Sequence, residues 1–208
     1  MSLRKFLLSP QDTKKINEMS KKRKTVVPQS HWIPDGLFKQ IQKNMPVACV
    51  DLLVLRKLSP GLGSFKLGPG KQKNGGLEVL LIKRKIFPEE GKWCLIGGRV
   101  FKGEYTKDTI KRQAKEELGV SVKIIPPWNE NAPFAVFNDP VSDKQKHFVV
   151  LTYPVAITTG KLNAIGPEFS EAKWFPLNKL PPASTFGFHH NKVLAMLSDY
   201  AKAKSIML

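Results

Sequence analysis

Between Gly98 and Val120 the chain gathers Glu104, Arg112, Gln113, Glu116 and Glu117 into one stretch, G-R-V-F-K-G-E-Y-T-K-D-T-I-K-R-Q-A-K-E-E-L-G-V. Two adjacent glutamates beside a third acidic group repel one another unless a cation neutralises them. Hard oxygen ligands on a semi-rigid element suit Mg2+, with Mn2+ as the second choice. For the two glutamates alone, a solvated acidic face capped by Arg112 is the plainer reading. The whole pattern decides between the two.

A helix has to carry those carboxylates. At about 100° per residue, Ile110, Ala114 and Leu118 fall on one narrow arc, a core-facing stripe. Gln113, Glu116 and Glu117 share the neighbouring arc, flanked by Arg112. Thr106 is the expected cap, Asp108 favours the helix dipole in the first turn, and Gly119 suits a left-handed stop. Before the helix, Gly97-Gly98 reads as a glycine-rich turn that lets the backbone approach a ligand closely.

Gly98, Glu104, Arg112, Glu116, Glu117, Gly119 and Val120 stand at the spacing of the Nudix box, and the stretch resembles that signature. The family pattern is Gly, five residues, Glu, seven residues, Arg-Glu, an aliphatic, any residue, Glu-Glu, any residue, Gly, an aliphatic. Two positions depart: Gln113 replaces a Glu that often ligates metal in the family, and Ala114 replaces a bulkier aliphatic residue. The resemblance implies an α/β fold, a Nudix-type α/β/α sandwich with a mixed central sheet. Here it carries a helical N-terminal extension over residues 1–44, with the Nudix domain over 45–208.

The resemblance also implies roles. Glu116 and Glu117 would hold Mg2+ with the Gly98 carbonyl, and Glu168, six residues before Trp174, is the carboxylate the family places after the box. Glu104 would support the turn or a second ion. Arg112 would orient the carboxylates, so that Glu117, Glu116, Arg112 and Glu168 form the catalytic group. Arg99 and Arg84 would contact the diphosphate, since a guanidinium pairs with phosphate oxygens. The Gly-Gly-Arg-Val loop, Asp51 and the Lys83-Arg84 pair resemble the GDP-mannose mannosyl hydrolase subfamily. Phe169 stands where that subfamily has its histidine base, so attack at phosphorus is expected, with Glu168 or Glu171 as base. His147 and the His189-His190 pair lie far from the motif and are assigned surface or packing roles.

The remaining elements follow from composition. Residues 1–24 are polar and basic, with a short helix around Asp12–Lys22 and a solvated run Lys21-Lys22-Arg23-Lys24. Leu37, Phe38 and Ile41 have helical spacing after a proline start, which predicts a helix docked on the domain or on a second copy of the chain. Trp32 reads as a packing anchor. Val47–Leu58 reads as a central strand, interrupted by Asp51, which needs a basic partner or a ligand hydroxyl. Ser59–Gly76 has six glycines and two prolines and reads as a mobile hairpin tip over the substrate; it lacks a P-loop ending. Leu77–Phe87, Lys92–Ile96, Val120–Pro126, Pro133–Asn138, His147–Thr158 and Glu171–Leu177 read as strands. Asp139–Asp143 reads as a turn, and His190–Lys202 as a closing amphipathic helix.

The 208 residues suffice for one core with an appendage. No apolar run approaches a membrane span, and Ser9-Pro10 cuts short the one apolar N-terminal run, so no secretory leader is expected. Cys49 and Cys94 form neither a disulfide framework nor a metal motif and fit a reducing, cytoplasmic compartment. The net charge of +17 would draw phosphates or nucleic acid toward the surface. No interleaved aromatic–basic RNA pattern is visible, so a small nucleotide-derived substrate is favoured over RNA. The expected function is divalent-metal-dependent hydrolysis of a nucleoside diphosphate linked to another moiety, foremost a nucleotide-sugar. The rival readings are a catalytically weak nucleotide- or RNA-binding module and an RNA-directed pyrophosphohydrolase. The N-terminal extension is the candidate homodimer surface.

Overall fold

The computed structural model describes residues 33–57, 76–138, 147–163 and 168–203. The basic run, the Asp12–Lys22 helix, Trp32, nearly all of the Ser59–Gly76 loop and the Asp139–Asp143 turn lie outside the described residues.

The chain begins with α1 (Asp35–Asn44), entered from Pro34, and passes into β1 (Val47–Lys57). β1 is the hub. It runs parallel to β7 (Phe148–Thr159) from Val47↔Phe148 to Val54↔Val155. It also pairs antiparallel with β4 (Ile96–Arg99) over Cys49–Leu52, and with β2 (Leu77–Arg84) over Leu55–Lys57. β2 carries β3 (Trp93–Cys94) and β8 (Phe169–Pro176), while β7 carries β5 (Ser121–Ile124) and β6 (Ala135–Asn138). One parallel pairing among antiparallel ones makes the sheet mixed. The parallel pair is long and apolar because both faces are covered.

Alternation along β1 sorts the core into two layers. Val50, Leu52 and Val54 face α2 (Thr106–Leu118), where Ile110, Ala114 and Leu118 pack against them. Leu53 and Leu55 face α3 (His190–Ala203), with Val193, Leu194 and Leu197. Each Val, Leu or Ile among them gains ~1.5–3 kcal/mol on full burial. Helices on both sides of a mixed sheet give the α/β/α sandwich. Tyr200, further along α3, meets Trp128 at 5.2 Å and Phe134 at 6.0 Å between ring centroids.

Several local expectations are corrected. Gly97-Gly98 is not a turn: both residues lie in β4 and pair with Asp51 and Val50. The Leu77–Phe87 strand ends at Arg84, because the chain folds back there and the Gly91 N–H donates to the Arg84 carbonyl at 2.9 Å. Thr106 does not cap α2. Tyr105 is the cap residue and makes no side-chain cap bond. Gly119 does close α2, with φ 72° and its N–H donating to the Lys115 carbonyl at 3.0 Å. α1 buries none of its residues. Both cysteines are buried free thiols. No helix among the described residues is long and apolar enough to cross a membrane.

Candidate functional site

The site is built on the Gly97–Gly98 step of β4. A Cβ on Gly97 would collide with Asp51 Oδ1 and the Val50 carbonyl, on the α3 side of the sheet. A Cβ on Gly98 would collide with the Gln113 amide, on the α2 side. The two glycines therefore admit one polar side chain to each face of the same strand. That steric need, beyond any closeness to a ligand, requires glycine at both positions.

On the α2 side, Arg112 is the brace. Its Nε and Nη2 donate to Glu104 at 2.8 and 2.9 Å, Nη2 also to the Arg99 carbonyl at 2.9 Å, and Nη1 to Glu116 at 3.2 Å. The guanidinium lies 3.9 Å over the Phe101 ring. Glu104, expected among the metal ligands, spends its oxygens on protein donors, for it also accepts from the Phe101 N–H at 3.0 Å and Thr109 Oγ1 at 2.8 Å. Burial works against its charge, but the bonds from Arg112, Phe101 and Thr109 outweigh burial and hold the carboxyl below its ordinary range. Glu104 thus ties the loop before α2 to the helix.

Glu117 is the group under stress. Burial first, then the negative charges of Glu168, Asp51 and Glu116, push its pKa up to about 8, with Arg84 pulling the other way. Gln113 touches the same group. Oriented by its surroundings, its amide NH2 donates to Glu117 and its oxygen accepts from Arg112 Nη1 at 3.0 Å. The departure from the family pattern at 113 is therefore a buried link between Arg112 and Glu117.

On the α3 side, Asp51 finds the basic partner its strand position demanded. His190 Nε2 lies 3.0 Å from Asp51 Oδ2, and the Leu95 N–H donates to His190 Nδ1 at 2.9 Å. Burial opposes a charged ring and Asp51 favours one. The Leu95 N–H decides the outcome: Nδ1 accepts, so it carries no proton, and the neutral ring donates from Nε2 to Asp51. Leu95 is the residue between β3 and β4, and its N–H is spent on this bond. Nearby, burial and then Asp51 push the Cys49 thiol up to about 12, so it stays protonated.

Arg84 and Glu168 close the site from the ends of β2 and β8. Arg84 Nε donates to the Pro88 carbonyl at 2.8 Å, and Nη1 lies 3.4 Å from Glu168. Glu168 is half exposed. Arg99, expected on the diphosphate, lies 4.1 Å over the Phe38 ring and so joins α1 to the edge of the site.

Glu116, Glu117, Glu168, Asp51 and Arg84 thus act on one another, around the Gly97–Gly98 step. The donor chemistry fits a hard divalent cation: carboxylate oxygens crowded about Glu117, whose pKa is raised by burial first and by their repulsion second. As the side chains stand, no three metal-ligating groups converge among the described residues.

Sequence reasoning missed two residues here. His190 is expected from the sequence in a surface or packing role, although Asp51 in its strand was the signal for a buried basic partner. Phe188, which lies 5.3 Å beneath Arg84, had no signal in the sequence at all.

A family model for the NUDIX domain matches residues 70–197. The match begins after β1, the strand on which the sheet is centred. An ADP-ribose pyrophosphatase from Methanocaldococcus jannaschii is 32% identical over 128 residues, 62% of this chain and 68% of that protein. The low-salt glycan biosynthesis protein Agl8 from Haloferax volcanii is 30% identical over 143 residues, 69% of this chain and 79% of that protein. Among solved structures, a MutT Nudix hydrolase from Burkholderia pseudomallei superposes with a TM-score of 0.54 at 22% identity, covering 73% of this chain and 97% of that one. At that identity the likeness concerns the fold alone.

Proposed function

The chain belongs to the Nudix family of hydrolases, and from that premise we propose that its substrate is a nucleotide-sugar, a nucleoside diphosphate joined to a sugar, cleaved by water at phosphorus. The observation that carries this reading is the stressed Glu117, set among the charges of Glu168, Asp51 and Glu116 and opposed by Arg84. Such a cluster is stable in its charged form only with a cation, and a diphosphate supplies the matching anion. The names of two relatives, an ADP-ribose pyrophosphatase and a glycan biosynthesis protein, support a sugar on the far side of the diphosphate.

Glu116, Glu117 and the Gly98 carbonyl would hold Mg2+ or Mn2+, which leaves Glu168 as the base. Bound there, the ion would neutralise phosphate oxygens and lower the pKa of the attacking water. Arg84 exchanges Glu168 for a phosphate oxygen. Glu168, released from that pair and half exposed, takes the proton of the incoming water. Arg112 and Glu104 do not touch substrate; they fix Glu116 and the β4–α2 loop. The net charge of +17 steers the anionic substrate inward.

The test is product release from ADP-ribose and a panel of nucleotide-sugars with Mg2+ or Mn2+, comparing wild type with Glu117→Gln. Loss of a carboxylate acting on the reacting groups is expected to lower kcat by ~10²–10³-fold. Equal inertness of both proteins across the panel would sink the enzymatic reading in favour of a nucleotide-binding module. Hydrolysis in 18O water is expected to label a phosphate product. Label in the sugar would overturn attack at phosphorus.

A further inference from the structure

The turn that enters α3 holds a strained and exposed aromatic residue beside the site. Phe188 and His189 take φ values of 51° and 57°, and Glu89, packed against this turn, takes 64°. These are left-handed conformations that residues with a Cβ adopt only when their surroundings impose them.

The imposing contacts are all present. The Gly187 N–H donates to the Trp93 carbonyl at 3.1 Å, and the His190 N–H to the Gly187 carbonyl at 3.0 Å. A Cβ on Gly187 would meet Glu89 Cβ at 2.8 Å and Cys94 Sγ at 3.0 Å. His190 is pinned from the other end by Asp51 and the Leu95 N–H. A turn fixed at both ends lifts Phe188 to its crest, where the residue stays 42% exposed. Core packing alone does not account for that strain, because a large apolar residue is held with nearly half of its surface open to water.

The ring is aimed at the charged groups. Arg84 lies over it at 5.3 Å, and the same guanidinium reaches Glu168. The His190 ring sits beside it at 5.7 Å between centroids, tilted by 55°. A rigid aromatic face beside a phosphate-binding arginine has the two features a nucleotide presents in reverse: a planar base and an adjoining anion. Stacking on an aromatic side chain suits any base, because every base has a π-face. Arg84 contributes to the same stack through its cation–π contact.

We propose that Phe188 is the stacking platform for the base of the nucleoside diphosphate, and so a specificity residue for nucleotides over other diphosphates. The inference rests on the reading of the site as a nucleotide-sugar hydrolase. It makes His190 a positioning residue, which acts through the turn it anchors.

Calorimetric titration with ADP and, separately, with inorganic pyrophosphate, both with Mg2+, tests it on wild type, Phe188→Ala, Phe188→Leu and Phe188→Trp. Roughly tenfold weaker ADP binding is expected for Ala and Leu, with near wild-type binding for Trp and unchanged pyrophosphate binding in all four. In turnover of a nucleotide-sugar, KM should rise in step while kcat stays within about twofold, the pattern of lost uniform binding. ADP binding unchanged in Phe188→Ala would overturn the stack and leave the hydrolase reading standing. So would ADP binding retained by Phe188→Leu, since that variant keeps bulk without a π-face. Equal losses for ADP and pyrophosphate would reduce Phe188 to a support for Arg84 and also overturn it. A wild type that neither binds ADP nor turns over the panel would remove the functional reading and the stack together.

Discussion

The two flanks of the Gly97–Gly98 step hold their carboxylates in opposite ways. On the α2 flank, Glu104, Arg112, Gln113, Glu116 and Glu117 come from one helix and the loop before it, and their bonds span a few residues. On the α3 flank, Asp51 is paired with a residue 139 positions away. On the α2 flank Glu117 is driven toward its neutral form, by burial first and then by the charges of Glu168, Asp51 and Glu116. The α3 flank satisfies its one carboxylate with a neutral donor. On the function proposed above the first receives a cation, while the second is complete without one.

The largest expected effect of that difference is on stability against pH. In the metal-free protein Glu117 titrates at about 8, above its ordinary 4.5. The fold therefore holds this proton more tightly than the unfolded chain does. As pH rises past the unfolded value the unfolded chain releases its proton first, and stability falls until the folded group titrates. The loss lies between pH 4.5 and about 8 and amounts to a few kcal/mol. Urea melts in EDTA at pH 5 and pH 8.5 should differ accordingly for wild type, far less for Glu117→Gln, and far less for wild type with Mg2+. The same pH slope in Glu117→Gln would remove the charge from the explanation.

Next in size is His190→Leu. It strips Asp51 of its partner and leaves the Leu95 N–H without an acceptor. Breaking one side of a largely buried pair costs about 3 kcal/mol. The thermal midpoint should fall at both pH 5 and pH 8.5, with or without Mg2+, because no cation serves this flank. Restoration by Mg2+ would mean the flanks are not distinct.

The same contrast explains what could be read from the chain. The α2 flank is local, so helical periodicity exposed Ile110, Ala114 and Leu118 as core and brought Arg112 beside the glutamates, and the box spacing carried the fold with it. Gln113 was visible as a departure, but its bonds to Arg112 and Glu117 depend on a rotamer and on the absent side chain at Gly98. The double glycine read as a turn, since no local signal tells a tight turn from a strand that must admit two polar side chains. The α3 flank needs β1, β4 and α3 to be packed before Asp51 meets His190. Asp51 announced that some partner was needed without saying which. Phe188 announced nothing, because its strain and exposure arise only when the turn is clamped between Trp93 and Asp51.

Gln113→Glu probes the α2 flank alone and should have a smaller effect. It restores the carboxylate usual in the family at this position, but replaces the amide that donates to Glu117 with another negative oxygen. Without metal, the lost bond and added repulsion should destabilise the protein by about 1–2 kcal/mol at pH 8.5. With Mg2+ the sign should reverse, since the new oxygen is a ligand. Differential scanning with and without Mg2+ reads both, and destabilisation of equal size in the two conditions would refute a cation site on this face.

Asp51→Asn should have the smallest effect and is the one that couples the flanks. His190 Nε2 can still donate to the amide oxygen, so the pair is weakened without being orphaned, at about 1 kcal/mol. Asp51 is nevertheless among the charges that raise the Glu117 pKa, following burial and Glu168. Removing that charge should let Glu117 ionise more readily, so the pH window of metal-free instability should end lower than about 8. A variant that loses a little stability at pH 5, yet loses less than wild type on going to pH 8.5, would show that the self-sufficient flank still sets the charge of the one that waits for a cation. An unchanged window would mean that Gly97 and Gly98 separate the two faces electrostatically as well as sterically.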